Sequence, residues 1–288
     1  MAEQHQVIGP ILEDDKVSLQ KRIRDFPWWF VAMILIAIGV FFVISSNENY
    51  NAAFNFIKVG LGITIKTTLI AYSIALIFGL LSGLGRISKN IFFNNLARLY
   101  VELVRGIPIL VLIFFIALVG VPSLVNGLNA IGAVFNNWGI AFLSKPFTAI
   151  TNQDISMNAR AIIALAVTYG AYLAEIFRAG IQSINKGQME AARSLGMNYA
   201  QSMRHIILPQ AIRNVLPALG NDFVAMVKDS SLVSVLAVRD VTQVARLYAG
   251  STFRFRESYV ILSVMYLTMT VILSLLVQFV ERRLNSND

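Results

Sequence analysis

The residues of this 288-residue chain that could make or break bonds are few. Cysteine is absent, which excludes thiolate catalysis, disulfides, thiolate-held zinc and iron–sulfur clusters together. Of the two histidines, His5 and His205, neither stands in an H-E-x-x-H pair or in an apolar stretch. A phosphate-cradling G-x-x-x-x-G-K-[ST] loop is also missing. The sequence therefore assigns no catalytic residue and no metal ligand. What remains is a set of polar side chains inside apolar sequence: Asn221 and Asp222, with Lys228 and Asp229 beyond them, and Lys66 beside Thr64, Thr67 and Thr68. Such groups are costly in hydrocarbon and face protein or a watery cavity. Lys66, Asn221 and Asp222 are the candidates for a substrate pathway, Asp222 as a contact for a cationic group. A lysine near a helix end can instead snorkel to the interface, and Lys228 and Asp229 can pair with each other or with backbone to hold a bend. Glu102/Arg105 and Glu175/Arg178 each stand three apart, on one helix face, which suits structural ion pairs better than substrate ligands.

These side chains must be positioned by elements that sit in lipid. The chain is 56% hydrophobic and 14% charged, with mean hydropathy +0.65, where a soluble domain carries about a quarter charged residues. Apolar stretches near the roughly 20 residues needed to cross a bilayer run over 28–45, 59–84, 103–120, 160–181, 215–238 and 259–280. The expectation is an all-α integral membrane protein with about six transmembrane helices. Placing both termini in the cytoplasm puts fifteen of the 24 lysines and arginines inside, seven outside, and Lys66 and Lys228 within spans, as cytoplasmic loops require. The last outer segment, with Arg239, Arg246, Arg254 and Arg256, runs against that trend. The net charge of +8 thus reads as orientation, and no nucleic acid is expected as a partner. Residues 1–27 form a polar cytoplasmic tail whose basic KRIR segment would lie against anionic membrane lipid. Segment 121–158, apolar but broken by glycine and asparagine, reads as an outer loop with one or two short interfacial helices. Gly79 and Gly83, four apart, permit close helix packing.

One inner loop, 186–213, is too polar for a span and too patterned for a linker. Strong helix formers from Glu190 to Leu195 lead to Gly196, a helix-stopping glycine. Asn198 can cap a second helix, whose apolar positions Tyr199, Met203, Ile206 and Ile207 recur at helical spacing and which Pro209 closes. Two short helices at an angle would make an elbow on the cytoplasmic face. The competing reading is an amphipathic connector lying on the membrane.

Glu190-Ala191-Ala192, Gly196 four residues on, and Ile206-x-Leu208-Pro209 after nine more resemble the EAA motif of ABC importer permeases. Tyr100–Pro108 (YVELVRGIP), Tyr169–Ile181 (YGAYLAEIFRAGI) and Lys228–Val235 (KDSSLVSV) are similar to the polar amino-acid branch of that family, which takes in histidine, glutamate, glutamine, arginine and opine permeases. The resemblance covers 57–284, leaving 28–45 as an added first span and the long segment 121–158 as a departure. It implies a type I ABC importer permease architecture in a bacterial cytoplasmic (inner) membrane, moving polar amino acids inward by alternating access. It also implies partners: a dimer of ATP-binding subunits that carry ATP and magnesium, a second permease chain (a copy or a homologue), and an extracytoplasmic amino-acid-binding protein. In such permeases the elbow docks into the ATP-binding subunit, which places Glu190, Ala191, Ala192, Arg193, Ser194, Leu195 and Gly196 at the coupling contact. Ala191 and Ala192 would permit close approach, Gly196 would set the bend, and Glu190 or Arg193 would supply polar contacts. An intramembrane enzyme would need a constellation the spans lack. An ion-coupled carrier or channel is the alternative, although no inverted repeat is evident.

Overall fold

The computed structural model describes residues 28–285, so the expected tail 1–27 lies outside the described residues. The chain divides into two compact units between Asn51 and Ala52, and every regular element described is helical. In the first unit, α1 (Trp28–Ser46) is apolar on every side and carries no charge, the composition of a helix surrounded by lipid or packed protein. It ends at Asn47, whose side chain accepts from the amide of Asn49 (3.0 Å) and so begins the next turn.

The helix α2 (Glu48–Ile57) leads through one 3-10 turn, Lys58–Gly60, into α3 (Leu61–Ile87). The buried face of α3 is made of small residues at helical spacing, Thr64, Thr67, Thr68, Ala71, Ala75, Gly79 and Gly83, with Tyr72. Lipid tails are as apolar as leucine, so helices in a membrane gain most from close van der Waals contact, and small residues allow it. The partner is α8 (Met157–Gln182), which buries Ala161, Ala164, Thr168, Gly170, Ala171 and Ala174. A methyl group on Gly79 would come within 2.5 Å of Leu173 Cβ, and one on Gly83 within 2.9 Å of the Ala174 carbonyl. The glycine pair noted in the sequence therefore lies at the crossing of α3 and α8. The opposite face of α3, with Ile65, Leu69, Ile77 and Leu81, is exposed.

The third span begins later than expected. Residues 91–105 form a separate helix, α4 (Ile91–Arg105), and the chain breaks at Gly106, Ile107 and Pro108 before α5 (Ile109–Phe115). Pro108 has no amide hydrogen and disfavours helix in the residue before it. From Ile109 the helix then runs on through a π turn, Ile116–Gly120, into α6 (Val121–Asn137), 29 residues in all. Segment 121–158 is thus more helical than a loop: α6 continues the span, the chain reverses at Gly139 (φ +73°), and α7 (Ala141–Thr148) packs back on α6. Gly132 allows this approach, since a methyl there would sit 2.6 Å from Thr148 Cγ2.

Beyond α8 come α9 (Lys186–Ser194), α10 (Tyr199–Ser202), a second π turn Met203–Ile207, α11 (Leu208–Asp229), a 3-10 turn Ser230–Leu236, α12 (Val241–Thr252) and α13 (Phe255–Asn285). Pro209 does not close the second elbow helix as expected; it lies in the first turn of α11, and helix continues through it. Both π turns end two residues before a proline, Pro122 and Pro209. A proline ring crowds the carbonyl four residues back, and the wider π turn moves that carbonyl aside. The expected span 215–238 is divided between α11 and the 3-10 turn, where the hydroxyl of Ser230 donates to the Val227 carbonyl (2.7 Å) and competes with continued helix. Among the described residues, four helical runs are long and apolar enough to cross a membrane: Glu48–Ile87, Ile109–Asn137, Met157–Gln182 and Phe255–Arg283.

Candidate functional site

The elbow is built almost entirely by capping. Asn185 accepts from the Gly187 amide (2.8 Å) and starts α9. At its end the amide of Met197 donates to the Ala192 carbonyl (3.2 Å) and that of Gly196 to the Arg193 carbonyl (2.9 Å). This paired pattern needs a left-handed residue, which Gly196 supplies with φ +80°. Two residues on, Asn198 and Gln201 cap each other's amides at 2.9 Å in both directions, a reciprocal box that fixes the start of α10. Between the two helices Leu195 is 83% exposed and Tyr199 58% exposed. Large apolar side chains held out on a rigid corner offer a contact surface rather than a core.

The alanines divide between two faces. Ala192 is buried beneath the elbow, whereas Ala191 is exposed beside Glu190, Arg193, Ser194 and Leu195. Only Ala191 is thus on the side open to another surface, and Ala192 serves the elbow's own packing. The hydroxyl of Ser194 donates to the Glu190 carbonyl (3.1 Å) within α9. One side-chain bond ties the elbow to α11, from Gln210 to Gln188 (3.4 Å), and a second, from Asn214 to Ser183 (3.0 Å), joins α11 to the end of α8. A rigid-body movement of the elbow would therefore pull on α11.

The intramembrane candidates are not gathered as expected. Thr64, Thr67 and Thr68 are buried and occupied: Thr64 accepts from the Val241 amide (3.0 Å), Thr67 donates to Asn158 (2.8 Å) and Thr68 to the Thr64 carbonyl (2.8 Å). Lys66 lies on the exposed side of α3, away from them. On α11, Asn221 is exposed and Asp222 half-buried, with Oδ2 of Asp222 lacking a hydrogen-bond partner among the described residues. Asp229, seven residues further along the same face, accepts from the Tyr169 hydroxyl (2.7 Å), and Tyr72 donates to the Leu219 carbonyl (2.6 Å). The expected pairing of Lys228 with Asp229 is replaced by this tyrosine, since Lys228 points outward. Asp222 is left as a buried carboxyl oxygen on a face shared with two tyrosines, an arrangement able to accept a hydrogen bond or a positive charge.

The two expected ion pairs merge into one network. Glu175 pairs with Arg178 as its spacing suggests, but also with Arg86 of α3 (2.8 Å). Arg86 reaches Glu102 of α4 as well (3.6 Å), and Arg105 lies over the ring of Tyr172 (5.7 Å) instead of pairing with Glu102. Arg86 therefore links three helices. Its only signal in the sequence was its place among the inner cations. A second buried arginine, Arg160, is 8% exposed and donates to three backbone carbonyls, those of Asn152 (2.6 Å), Ile155 (3.1 Å) and Ala117 (3.2 Å). Ala117 belongs to the first π turn, so Arg160 satisfies a carbonyl that the widened helix leaves open.

The family described as binding-protein-dependent transport system inner membrane component matches residues 75–286. The chain is 35% identical to the "Probable amino-acid permease protein YxeN" of Bacillus subtilis strain 168, covering 81% of this chain and 93% of that one. It is 32% identical to the "Glutamine transport system permease protein GlnP" of Escherichia coli strain K12, over 78% of this chain and 91% of the relative. Among solved structures it is similar to an amino acid ABC transporter crystallised with histidines: 36% identity, TM-score 0.65, over 80% of this chain and 94% of the other. The inward-facing methionine transporter MetNI shares the fold at 17% identity, with TM-score 0.57, over 80% of this chain and 96% of its own.

Proposed function

Because the chain belongs to the family of binding-protein-dependent transport system inner membrane components, we propose that it moves polar amino acids into the cytoplasm by alternating access, driven by ATP hydrolysis on a partner subunit. Its fold is that of a type I ABC permease, all-helical and multi-pass. In this reading the elbow at Gly196 docks on the ATP-binding subunit, which holds the ATP and magnesium. A second permease chain, identical or homologous, completes the pathway, and an extracytoplasmic binding protein delivers the amino acid. Lys66, Asn221 and Asp222 are the candidate pathway residues, with Asp222 the best supported because its carboxyl oxygen is buried and unoccupied.

The observation that carries the reading is the elbow: two capped helices turned at a left-handed glycine, presenting Leu195 and Tyr199 outward. Gly196→Asp tests it. A side chain at Gly196 would meet nothing within 4 Å, so the substitution acts on the positive φ and on whatever docks there, not on the chain's own core. The transporter should insert and assemble, while amino-acid-stimulated ATP hydrolysis falls to the basal rate. Normal uptake by that variant would refute the coupling role. Uptake by the wild-type chain alone in liposomes, without an ATPase, would favour a carrier instead.

A further inference from the structure

The helix α11, with 22 residues, is about 33 Å long at 1.5 Å per residue, enough to cross roughly 30 Å of hydrocarbon. It is nevertheless not among the four apolar runs. Three of those runs hold it, for α11 packs against α3, α8 and α13. Toward α3, the Tyr72 ring lies on Phe223 (4.9 Å) and its hydroxyl donates to the Leu219 carbonyl. Toward α8, Asp229 accepts from Tyr169, and Val215 fills the space that a methyl on Gly180 would need. Toward α13, a methyl on Gly220 would sit 2.6 Å from Val277 Cγ1. One face is left over. It carries Asn214, Ala218, Asn221 and Lys228, all exposed, and the half-buried Ala225.

Lipid is a poor cover for that face. The Asn221 side chain makes no hydrogen bond among the described residues, and an unpaired amide is costly in hydrocarbon. The spacing of the five residues says what covers it instead. Asn214, Asn221 and Lys228 recur every seven residues, and Ala218 and Ala225 do the same between them. A seven-residue repeat is the seam along which two parallel helices wrap around each other. The residue types suit an identical partner. Asparagine both donates and accepts, so two Asn221 amides meeting at one level satisfy each other, as a buried asparagine fixes register in paired helices. The alanines let the two backbones approach. Lys228, the one charge of the stripe, stands at the end of α11, where its stem can carry the ammonium to water. Two copies therefore force no like charges together inside the membrane. We infer that the second permease chain is a copy of this one, paired along Asn214, Ala218, Asn221, Ala225 and Lys228 of the two α11 helices. That a second chain exists rests on the permease reading; its identity and the face it meets come from the stripe. With the stripes together the path between the chains is closed, and Asn221 stands in its wall.

The chain contains no cysteine, so among its copies a single introduced thiol can bond only to its counterpart. Ala218→Cys and Asn221→Cys sit on the stripe; Leu69→Cys and Leu81→Cys, on the exposed face of α3, are the controls. Each variant is produced in membranes with the other transporter subunits, half of it bearing one affinity tag and half a second. A disulfide needs Cα atoms within about 7 Å, so mild oxidation should link the stripe variants into dimers that carry both tags. Thiols held face to face act at high effective concentration, and the yield should exceed the controls by about ten-fold. Ala218→Cys adds only a sulfur and keeps the test open if Asn221→Cys does not fold. Dimers no more abundant on the stripe than in the controls, or no product carrying both tags, would overturn the pairing. ATP-driven uptake by the wild type alongside that result would leave the permease reading standing. Two-tag dimers on the stripe of a chain that imports without an ATPase would uphold the pairing while defeating that reading.

Discussion

The bonds that turn the chain at Gly196 and Asn198 join residues no more than five apart, and the corner they make leaves Leu195 and Tyr199 in the open. At the crossing of α3 and α8 the contacts join residues about ninety apart, as Thr67 to Asn158 and Arg86 to Glu175, and Gly79 and Gly83 leave no space for an added carbon. One region is specified by its own short sequence and leaves two large apolar side chains exposed. The other is specified by mutual fit and keeps no room. Substitutions in the crossing should therefore damage the fold, whereas substitutions in the elbow should damage work done with a partner.

The largest effect is expected from Gly79→Leu. Even a single added carbon would sit 2.5 Å from Leu173 Cβ and 3.2 Å from the Ala174 backbone nitrogen, and backbone cannot swing aside as a side-chain tip can. Overpacking in a close-fitting core costs about 1–3 kcal/mol for extra methylenes, and here the obstacle is the helix itself. Size-exclusion chromatography after detergent extraction should show aggregate and little folded protein. Gly62→Leu is the matched control, since a side chain there meets nothing within 4 Å; its yield should equal wild type. Equal yields for both variants would remove the distinction between crossing and elbow.

A smaller and local effect is expected from Asn198→Ala. It removes the half of the reciprocal cap in which the Asn198 side chain accepts from the Gln201 amide and leaves the bond from the residue 198 backbone amide to the Gln201 side chain, a loss of about 1 kcal/mol. Hydrogen exchange at the Gln201 amide should quicken about five-fold, while the thermal midpoint of the whole protein stays where it was. A lowered midpoint would show that the elbow is part of the core's cooperative unit, and the contrast would fail.

The same contrast explains what could be seen in the sequence. The elbow was legible because Gly196, Asn198 and the helix formers around Glu190 act on neighbours. Spans such as 160–181 and 259–280 were legible because lipid selects composition over a long window. Continuity through Pro122 and Pro209 was not, since a proline normally ends a helix and the π turn that accommodates it has no composition of its own. Nor was Arg86 as the link between α3 and α8, or Tyr169 as the partner of Asp229, because each of these bonds spans sixty or more residues and depends on the packing of α3 and α11 against α8. Ala191 and Ala192 look equivalent as letters; only the helix phase tells which of them is open to a partner.

Asp240 combines the two modes and gives the subtlest test. It caps α12 locally, accepting from the Gln243 amide (2.8 Å), yet it is fully buried where the 3-10 turn meets that helix. Burial pushes its carboxyl up to about 6, an effect that the bond from Gln243 offsets in part. A folded-state value above the ordinary 3.8 means that the folded protein binds this proton more tightly than the unfolded chain. The group's stabilising contribution is then fully present below about 4 and is lost as pH rises through 6. Asparagine caps as well as aspartate but carries no charge to bury. Asp240→Asn should thus raise the thermal midpoint at pH 8 and lose most of that advantage at pH 5. If the capping bond dominates instead, the variant will match wild type at both pH values, and Asp240 will belong with the elbow's local caps. If burial dominates, it belongs with the crossing, where the price of a poor fit is set by residues far away in the chain.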